Sequence, residues 1–221
     1  MANETQAAPA TTQSFYDRIA DVHNLALKLN GYRSSVAKYL RSLDLEIDAE
    51  SYVLDAGSGT GIVTLGFQDS GLRPKKTITL DLSLNSLKIA REQFEKEKGI
   101  DSANIVEIQG NVLEVPFADE TFDLIVTCGV LEYVPLDAGL RELARLMKPG
   151  AKLVFIPVKP SLVGTMLELL YKFKIHPLGE VRRISERYFN IVGNHEFPIS
   201  DPIAWSKTIF LLEKPTGQNL R

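Results

Sequence analysis

Tyr52-Val53-Leu54-Asp55-Ala56-Gly57-Ser58-Gly59-Thr60-Gly61 is the stretch on which the fold turns. It opens as an apolar run of strand length, passes into a turn with glycines at 57, 59 and 61, and continues into a helical pattern near 60–70. Glycines at those positions permit positive φ and let a ligand lie against bare backbone, while the following helix presents unpaired N–H groups. The residues therefore predict a site for something polar, against the plainer alternative of a tight strand-to-helix connection. A triphosphate cradle requires Gly-x4-Gly-Lys-[Ser/Thr], and no lysine follows these glycines. A dinucleotide fingerprint requires G-x-G-x-x-G; here the third glycine comes at 61 rather than 62, and Val63 stands where a small residue is wanted for close helix packing. That spacing weakens a nicotinamide or flavin dinucleotide as ligand and leaves it as an alternative.

Working outward, short apolar runs at 52–56, 76–81, 104–109, 122–127 and 151–157 alternate with helical patterns near 60–70, 84–98 and 137–147. Such alternation is the sequence sign of a parallel sheet with crossover helices on its faces. In the second helix Leu84, Leu87, Ala90 and Phe94 keep helical spacing behind Ser83, a suitable N-cap. The third is expected to stop at Lys148-Pro149-Gly150. Upstream, Phe15, Ile19, Val22, Ala26 and Leu29 form one amphipathic stripe ended by Asn30-Gly31, and Tyr32, Val36, Tyr39 or Leu40, and Leu43 form another. Residues 1–13 carry no apolar periodicity and read as a disordered tail. Downstream, 158–187 is apolar and basic, and runs near 190–199 and 205–213 read as a terminal antiparallel strand pair. The expectation is one domain over 14–221, with a helical cap at 14–50.

The composition narrows the classes. A chain of 221 residues, with 25 basic and 28 acidic side chains and a net charge of -3, has no polycationic field for nucleic acid or anionic lipid. Its single cysteine, Cys128, forms no intrachain disulfide, and three histidines without a second thiol make no zinc pattern. No apolar run approaches the roughly 18 residues of a membrane span, and the first residues lack the basic and apolar regions of a signal peptide. A cytoplasmic protein without a metal is expected.

Asp55-Ala56-Gly57-Ser58-Gly59-Thr60-Gly61 resembles the first motif of the class I S-adenosylmethionine-dependent methyltransferases. The likeness continues through Asp81 in Thr79-Leu80-Asp81-Leu82-Ser83, Gln109-Gly110-Asn111-Val112-Leu113-Glu114-Val115-Pro116-Phe117, Phe122 to Tyr133, and Leu146-Met147-Lys148-Pro149-Gly150. It covers about residues 52–157 in the family's order. The resemblance implies an α/β fold, a doubly wound, mostly parallel seven-stranded Rossmann-like sheet, and S-adenosylmethionine as cofactor. In that likeness Gly57, Ser58 and Gly59 line the methionine end, and Asp55 orients the turn and meets the cofactor's ammonium directly or through water. Asp81 takes the ribose hydroxyls, Leu82 beside it is a further cofactor contact, and Asn111 and Val112 belong to the loop that holds the adenine, with Asn111 where the family usually has aspartate. Cys128 and Gly129 offer backbone carbonyls to the ammonium. Tyr16-Asp17-Arg18-Ile19-Ala20 is loosely similar to an element of ubiquinone and menaquinone biosynthesis C-methyltransferases, in which the tyrosine closes over the methionine end, so Tyr16 is a further cofactor contact.

A sulfonium methyl is already activated, so alignment and exclusion of water carry much of the catalysis. Glu132, Tyr133, His176 and His195 are candidate bases where the acceptor must lose a proton, and the sequence singles out none. The acceptor is expected above the strand ends. Leu162, Val163, Met166, Leu167, Leu169, Leu170, Tyr171 and Phe173 are either one more core-packing helix or a lid over a small lipophilic or aromatic acceptor. In the second case Lys172, Lys174, Arg182, Arg183 and Arg187 face solvent or make peripheral contact with a membrane. No nucleic-acid partner is expected. The rival readings are an NAD(P)-binding oxidoreductase on a similar sheet and a non-catalytic S-adenosylmethionine-binding protein.

Overall fold

The computed structural model describes residues 31–217, and the structural statements below concern these residues. The expected tail at 1–13 and the helix of Phe15 to Leu29 lie outside them.

Five parallel strands follow from the apolar runs: β1 (Tyr52–Ala56), β2 (Lys76–Asp81), β3 (Ile105–Gln109), β4 (Phe122–Cys128) and β5 (Met147–Ile156). Two more, β6 (Asn190–His195) and β7 (Ile209–Glu213), pair antiparallel with each other, and β7 pairs antiparallel with β5. The sheet order is β3-β2-β1-β4-β5-β7-β6. β1 lies between β2 and β4, in register Asp55↔Thr79 and Asp55↔Val126. The strand order reverses there, so the chain leaves β1 toward one side and β4 toward the other. A crevice consequently opens at their carboxyl ends, which is where the residues after Ala56 and Cys128 lie.

Side chains alternate across β1 because successive strand residues point to opposite faces. Val53 packs with Leu124, Val126 and Val154 beneath helix α1 (Tyr32–Ser42) and helix α2 (Ile62–Asp69), which contribute Tyr32, Val36, Leu40, Ile62 and Phe67. Leu54 and Ala56 face the other way, toward Ile125, Leu153, Phe155 and Phe210. That face is covered by α4 (Leu136–Leu146) through Leu140, Leu143 and Leu146, and by α6 (Leu178–Ser185) through Val181 and Ile184. Each fully buried side chain of this size contributes about 1.5–3 kcal/mol relative to exposure. Helix α3 (Leu84–Lys96) starts as its sequence suggests: the Ser83 hydroxyl accepts from the Ser86 N–H at 3.1 Å.

Two boundaries differ instructively from the expectation. Helix α4 ends at Leu146, before the proline and glycine expected to stop it, and Met147 is already extended. Pro149 disfavours helical backbone at the residue ahead of it, and the ladder passes from Phe122↔Met147 to Leu124↔Lys152. Lys148 to Ala151 thus form a bulge in which Gly150, at φ 80°, donates its N–H to the Lys214 carbonyl at 2.8 Å. The segment 158–187 divides into α5 (Leu162–Tyr171) and α6. α6 is core, whereas α5 exposes Leu162, Met166, Leu169 and Leu170. No helix among the described residues is long and apolar enough to cross a membrane.

Candidate active site

A cavity of about 510 Å³ occupies the crevice at the carboxyl ends of β1, β2 and β4. It gathers Gly57, Ser58, Gly59, Asp81, Leu82, Asn111, Val112, Cys128 and Gly129 into one lining. Asp55 is not in that lining, and Tyr16 lies outside the described residues.

The three glycines of the turn serve three separate purposes. At Gly57, φ is 77° and an added Cβ would lie 2.1 Å from Val130 Cγ2, so the strand end passes directly under the loop that follows β4. At Gly61, φ is 84° and an added Cβ would lie 2.5 Å from Phe94 Cζ, so this glycine brings the start of α2 against α3. Close helix packing, the duty expected of a small residue near Val63, is therefore carried by Gly61. Gly59, at φ 53°, would place a Cβ in open space. The turn is tied to the end of β2 because the Gly57 and Ser58 N–H groups both donate to the Leu80 carbonyl, at 2.7 and 2.9 Å.

Asp81 is held by the same backbone. Its Oδ2 accepts from the Gly59 N–H and its Oδ1 from the Ser83 N–H, both at 2.8 Å. Asn111 Oδ1 accepts from the Leu113 N–H at 3.0 Å, which orders its loop and leaves that oxygen a second lone pair.

Asp55 is buried at the end of β1 and works beneath the turn. The Thr64 hydroxyl donates to its Oδ2 at 2.6 Å, while Oδ1 has no hydrogen-bond partner. Burial pushes its carboxyl up to about 7, opposed by the Thr64 hydrogen bond and helped by the nearby Asp81 charge. Since the ordinary aspartate value is about 4, the folded state holds this proton more tightly than the unfolded one between those pH values. Stability is then lost as pH rises through that window. Asp55→Asn, which has no charge to bury, should melt progressively higher than the parent as pH rises from 5 to 8, by a few degrees at the upper end. A difference in melting temperature that stays constant across that range would refute the assignment.

Cys128 is no nucleophile in this setting. Burial pushes its thiol up, the nearby Lys207 only partly opposes that shift, and the thiol shares a hydrogen bond with the Tyr32 hydroxyl. Among the candidate bases only Tyr133 lines the cavity, its ring edge-on to Phe173 at 5.4 Å between centroids. Glu132 is buried beside it, with Oε1 accepting from the Val158 N–H at 2.5 Å and Oε2 unbonded. His176 is placed near Glu180 at 3.8 Å, and His195 against the Tyr39 ring at 5.5 Å; neither reaches the cavity.

Sequence reasoning missed Tyr32 and Lys207 as lining residues. Tyr32 reads as one member of a helical stripe, and Lys207 as a polar residue in a late strand run. Neither carries a local signal, because each meets Cys128 or Gly129 only through the sheet. The cavity lining also includes a group of largely apolar side chains, Val163, Met166, Leu167 and Tyr171 of α5 together with Phe173, Val134 and Ile203.

The lining fits the cofactor that the sequence implies. Ser58 Oγ is buried with no hydrogen-bond partner, beside open space over Gly59 and a carboxylate anchored at Asp81. A polar ligand lying along the turn would satisfy that hydroxyl, whose isolation otherwise costs about 1–3 kcal/mol.

Comparison with known proteins agrees. The profile of a family described as "Methyltransferase domain" matches residues 54–155. The chain is 30% identical over 170 residues to the demethylmenaquinone methyltransferase of Shouchella clausii, covering 76% of this chain and 70% of that protein. It is 34% identical over 129 residues to the ubiquinone/menaquinone biosynthesis C-methyltransferase UbiE of Shewanella woodyi, covering 57% of this chain and half of that protein. Among solved structures, the N-methyltransferase NodS of Bradyrhizobium japonicum, in complex with S-adenosylhomocysteine, superposes with a TM-score of 0.71 at 17% identity, covering 92% of this chain and 98% of the other. The glycine turn after β1, the anchored acid after β2 and the paired relatives converge on one conclusion: the chain belongs to the class I S-adenosylmethionine-dependent methyltransferases, and S-adenosylmethionine is its methyl donor.

Proposed function

We propose that the enzyme transfers a methyl group to a small lipophilic or aromatic acceptor held against the α5 wall. The observation that carries this reading is that one cavity is lined both by the glycine turn with Asp81 and by the apolar side chains of α5, Phe173 and Ile203. Two relatives whose names place them on demethylmenaquinone and in ubiquinone or menaquinone biosynthesis support an acceptor of that character.

When bound, S-adenosylmethionine supplies a methyl on a positively charged sulfur, which leaves as a neutral sulfide once the acceptor takes the carbon. The residues of this chain do the rest. Gly57, Ser58 and Gly59 hold the methionine end through backbone and the Ser58 hydroxyl, and Asp81 accepts from the ribose hydroxyls. Leu82, Asn111 and Val112 bound the adenine, and the carbonyls of Cys128 and Gly129 receive the ammonium. Tyr133, Phe173 and the α5 side chains exclude water and align the acceptor. Such positioning is worth about 7–11 kcal/mol where the reacting atoms are held at near-attack distance.

The test begins with ligand-induced stabilisation. S-adenosylhomocysteine at about a hundred times its dissociation constant adds about 2.7 kcal/mol, a rise of about 5–10 °C in melting temperature for a chain of this size, while NAD leaves it unchanged. Methyl transfer from labelled S-adenosylmethionine is then measured across lipophilic phenols, quinols and aromatic acids against hydrophilic amines and sugars. Stabilisation by NAD alone would return the oxidoreductase reading, and turnover confined to the hydrophilic set would sink the lipophilic one. Cofactor binding with no turnover in either set would favour a non-catalytic binder.

A further inference from the structure

We propose that Lys207 anchors an anionic oxygen of the methyl acceptor, so that the acceptor is an acidic aromatic molecule presenting a carboxylate, phenolate or enolate rather than a neutral one. This rests on reading the cavity as the methyl-transfer site and narrows the substrate class within it.

Lys207 stands just ahead of β7, locked to the end of β5. It bridges Val158 across the sheet, its N–H donates to the Ile203 carbonyl at 3.0 Å, and the Lys159 N–H donates to the neighbouring Ser206 carbonyl at 2.8 Å. From this fixed backbone the side chain extends over the end of β4. A Cβ on Gly129 would lie 2.6 Å from Lys207 Nζ, so the ammonium occupies space that any other residue at 129 would fill. Both residues line the cavity, together with the glycine turn and the apolar side chains of α5.

The other lysines around the strands β4, β5 and β7 are neutralised. Lys148 pairs with Asp123, Lys152 with Glu213, Lys159 with Glu196 and Lys214 with Glu120. Lys207 reaches no carboxylate among the described residues, although it is only partly exposed. Glu132 and Asp55 share its surroundings, but each is bonded through one oxygen to another group, the Val158 N–H and the Thr64 hydroxyl, and neither makes an ion pair with the ammonium. An ammonium partly withdrawn from water into a largely apolar cavity, and paired directly with no carboxylate, is costly. A ligand oxygen carrying negative charge removes that cost and gains a charge-assisted hydrogen bond, whereas a neutral acceptor of the same shape gains neither. Its position beside Gly129 also puts the cofactor's own carboxylate within the same chemistry, so the experiment separates the two sources.

The parent protein, Lys207→Gln and Lys207→Arg are compared by calorimetry. S-adenosylhomocysteine is titrated first; then, with the protein saturated by it, 2-naphthoate and its neutral counterpart 2-naphthamide are titrated. The expected result is that the parent binds 2-naphthoate at least tenfold more tightly than 2-naphthamide, that Lys207→Gln abolishes the preference, and that Lys207→Arg retains it. Affinity for S-adenosylhomocysteine should stay within twofold in all three. Equal binding of the two probes by the parent, or an undiminished preference in Lys207→Gln, would overturn the proposal. So would a tenfold loss of S-adenosylhomocysteine affinity in Lys207→Gln with the probe preference intact, which would assign the lysine to the cofactor's carboxylate. Failure of the parent to bind S-adenosylhomocysteine at all would instead bring down the reading of the site itself.

Discussion

Asp81→Ala should weaken S-adenosylhomocysteine binding by about a hundredfold, the largest functional effect expected of a single substitution outside the glycine turn. Two losses combine. The carboxylate gives up the ribose hydroxyls, each a hydrogen bond to a charged group worth about 1.5–3 kcal/mol. It also releases the Gly59 and Ser83 N–H groups, which it holds at 2.8 Å and which set the loop ahead of the ligand. Partial rearrangement and water at the vacated position offset some of this, and a net loss of about 2.7 kcal/mol corresponds to the hundredfold change. Asp81→Asn keeps an acceptor oxygen without the charge, so a loss nearer tenfold is expected. Calorimetric titration with S-adenosylhomocysteine reads both values. Unchanged affinity in Asp81→Ala would refute the ribose role and leave the carboxylate as a clasp for its own loop.

Gly61→Ala should cost the fold about 2–5 kcal/mol, a fall of about 4–20 °C in melting temperature for a chain of this length. At φ 84° an L side chain is strained by about 1–2 kcal/mol. The new methyl would also meet Phe94 Cζ at 2.5 Å, Cε1 at 2.7 Å and the Ala90 Cβ at 3.1 Å. Phe94 is 1% exposed, so its ring has nowhere to swing, and overpacking of this kind adds about 1–3 kcal/mol. Gly71→Ala is the matched control, because Gly71 has φ 91° but nothing within 4 Å of the added Cβ. It should show the backbone cost alone. Equal melting temperatures for the two variants would mean that α2 and α3 do not approach as described.

The contrast between those glycines shows how far the residues could be read in advance. The turn and its ligand-binding character follow from the run of glycines behind a strand. That Gly61 carries the helix packing, in place of a small residue two positions later, depends on where Phe94 arrives from α3. Asp55 is similar: its place in the motif is visible in sequence, but its burial beneath the turn and its bond to Thr64 follow from α2 folding back over β1. In 158–187 one apolar and basic composition yields two outcomes, α6 in the core and α5 along the cavity. Composition was silent on that division because α5, apolar nearly all round, carries no stripe that says which side is covered, and only the neighbouring surface determines what each helix buries.

By itself the amino-acid sequence determined the alternation of strands and helices, the glycine turn, the acid at the end of the second strand and the family to which these belong. These depend on side-chain periodicity and backbone sterics over a few residues, which short-range order carries in full. Tertiary structure alone decided that Lys148 to Ala151 would bulge out of the ladder with β4 and that Tyr32 would meet Cys128. It alone also brought Lys207 over Gly129. Those arrangements depend on distant segments pairing through the sheet, and no local spacing encodes which strand end will face which.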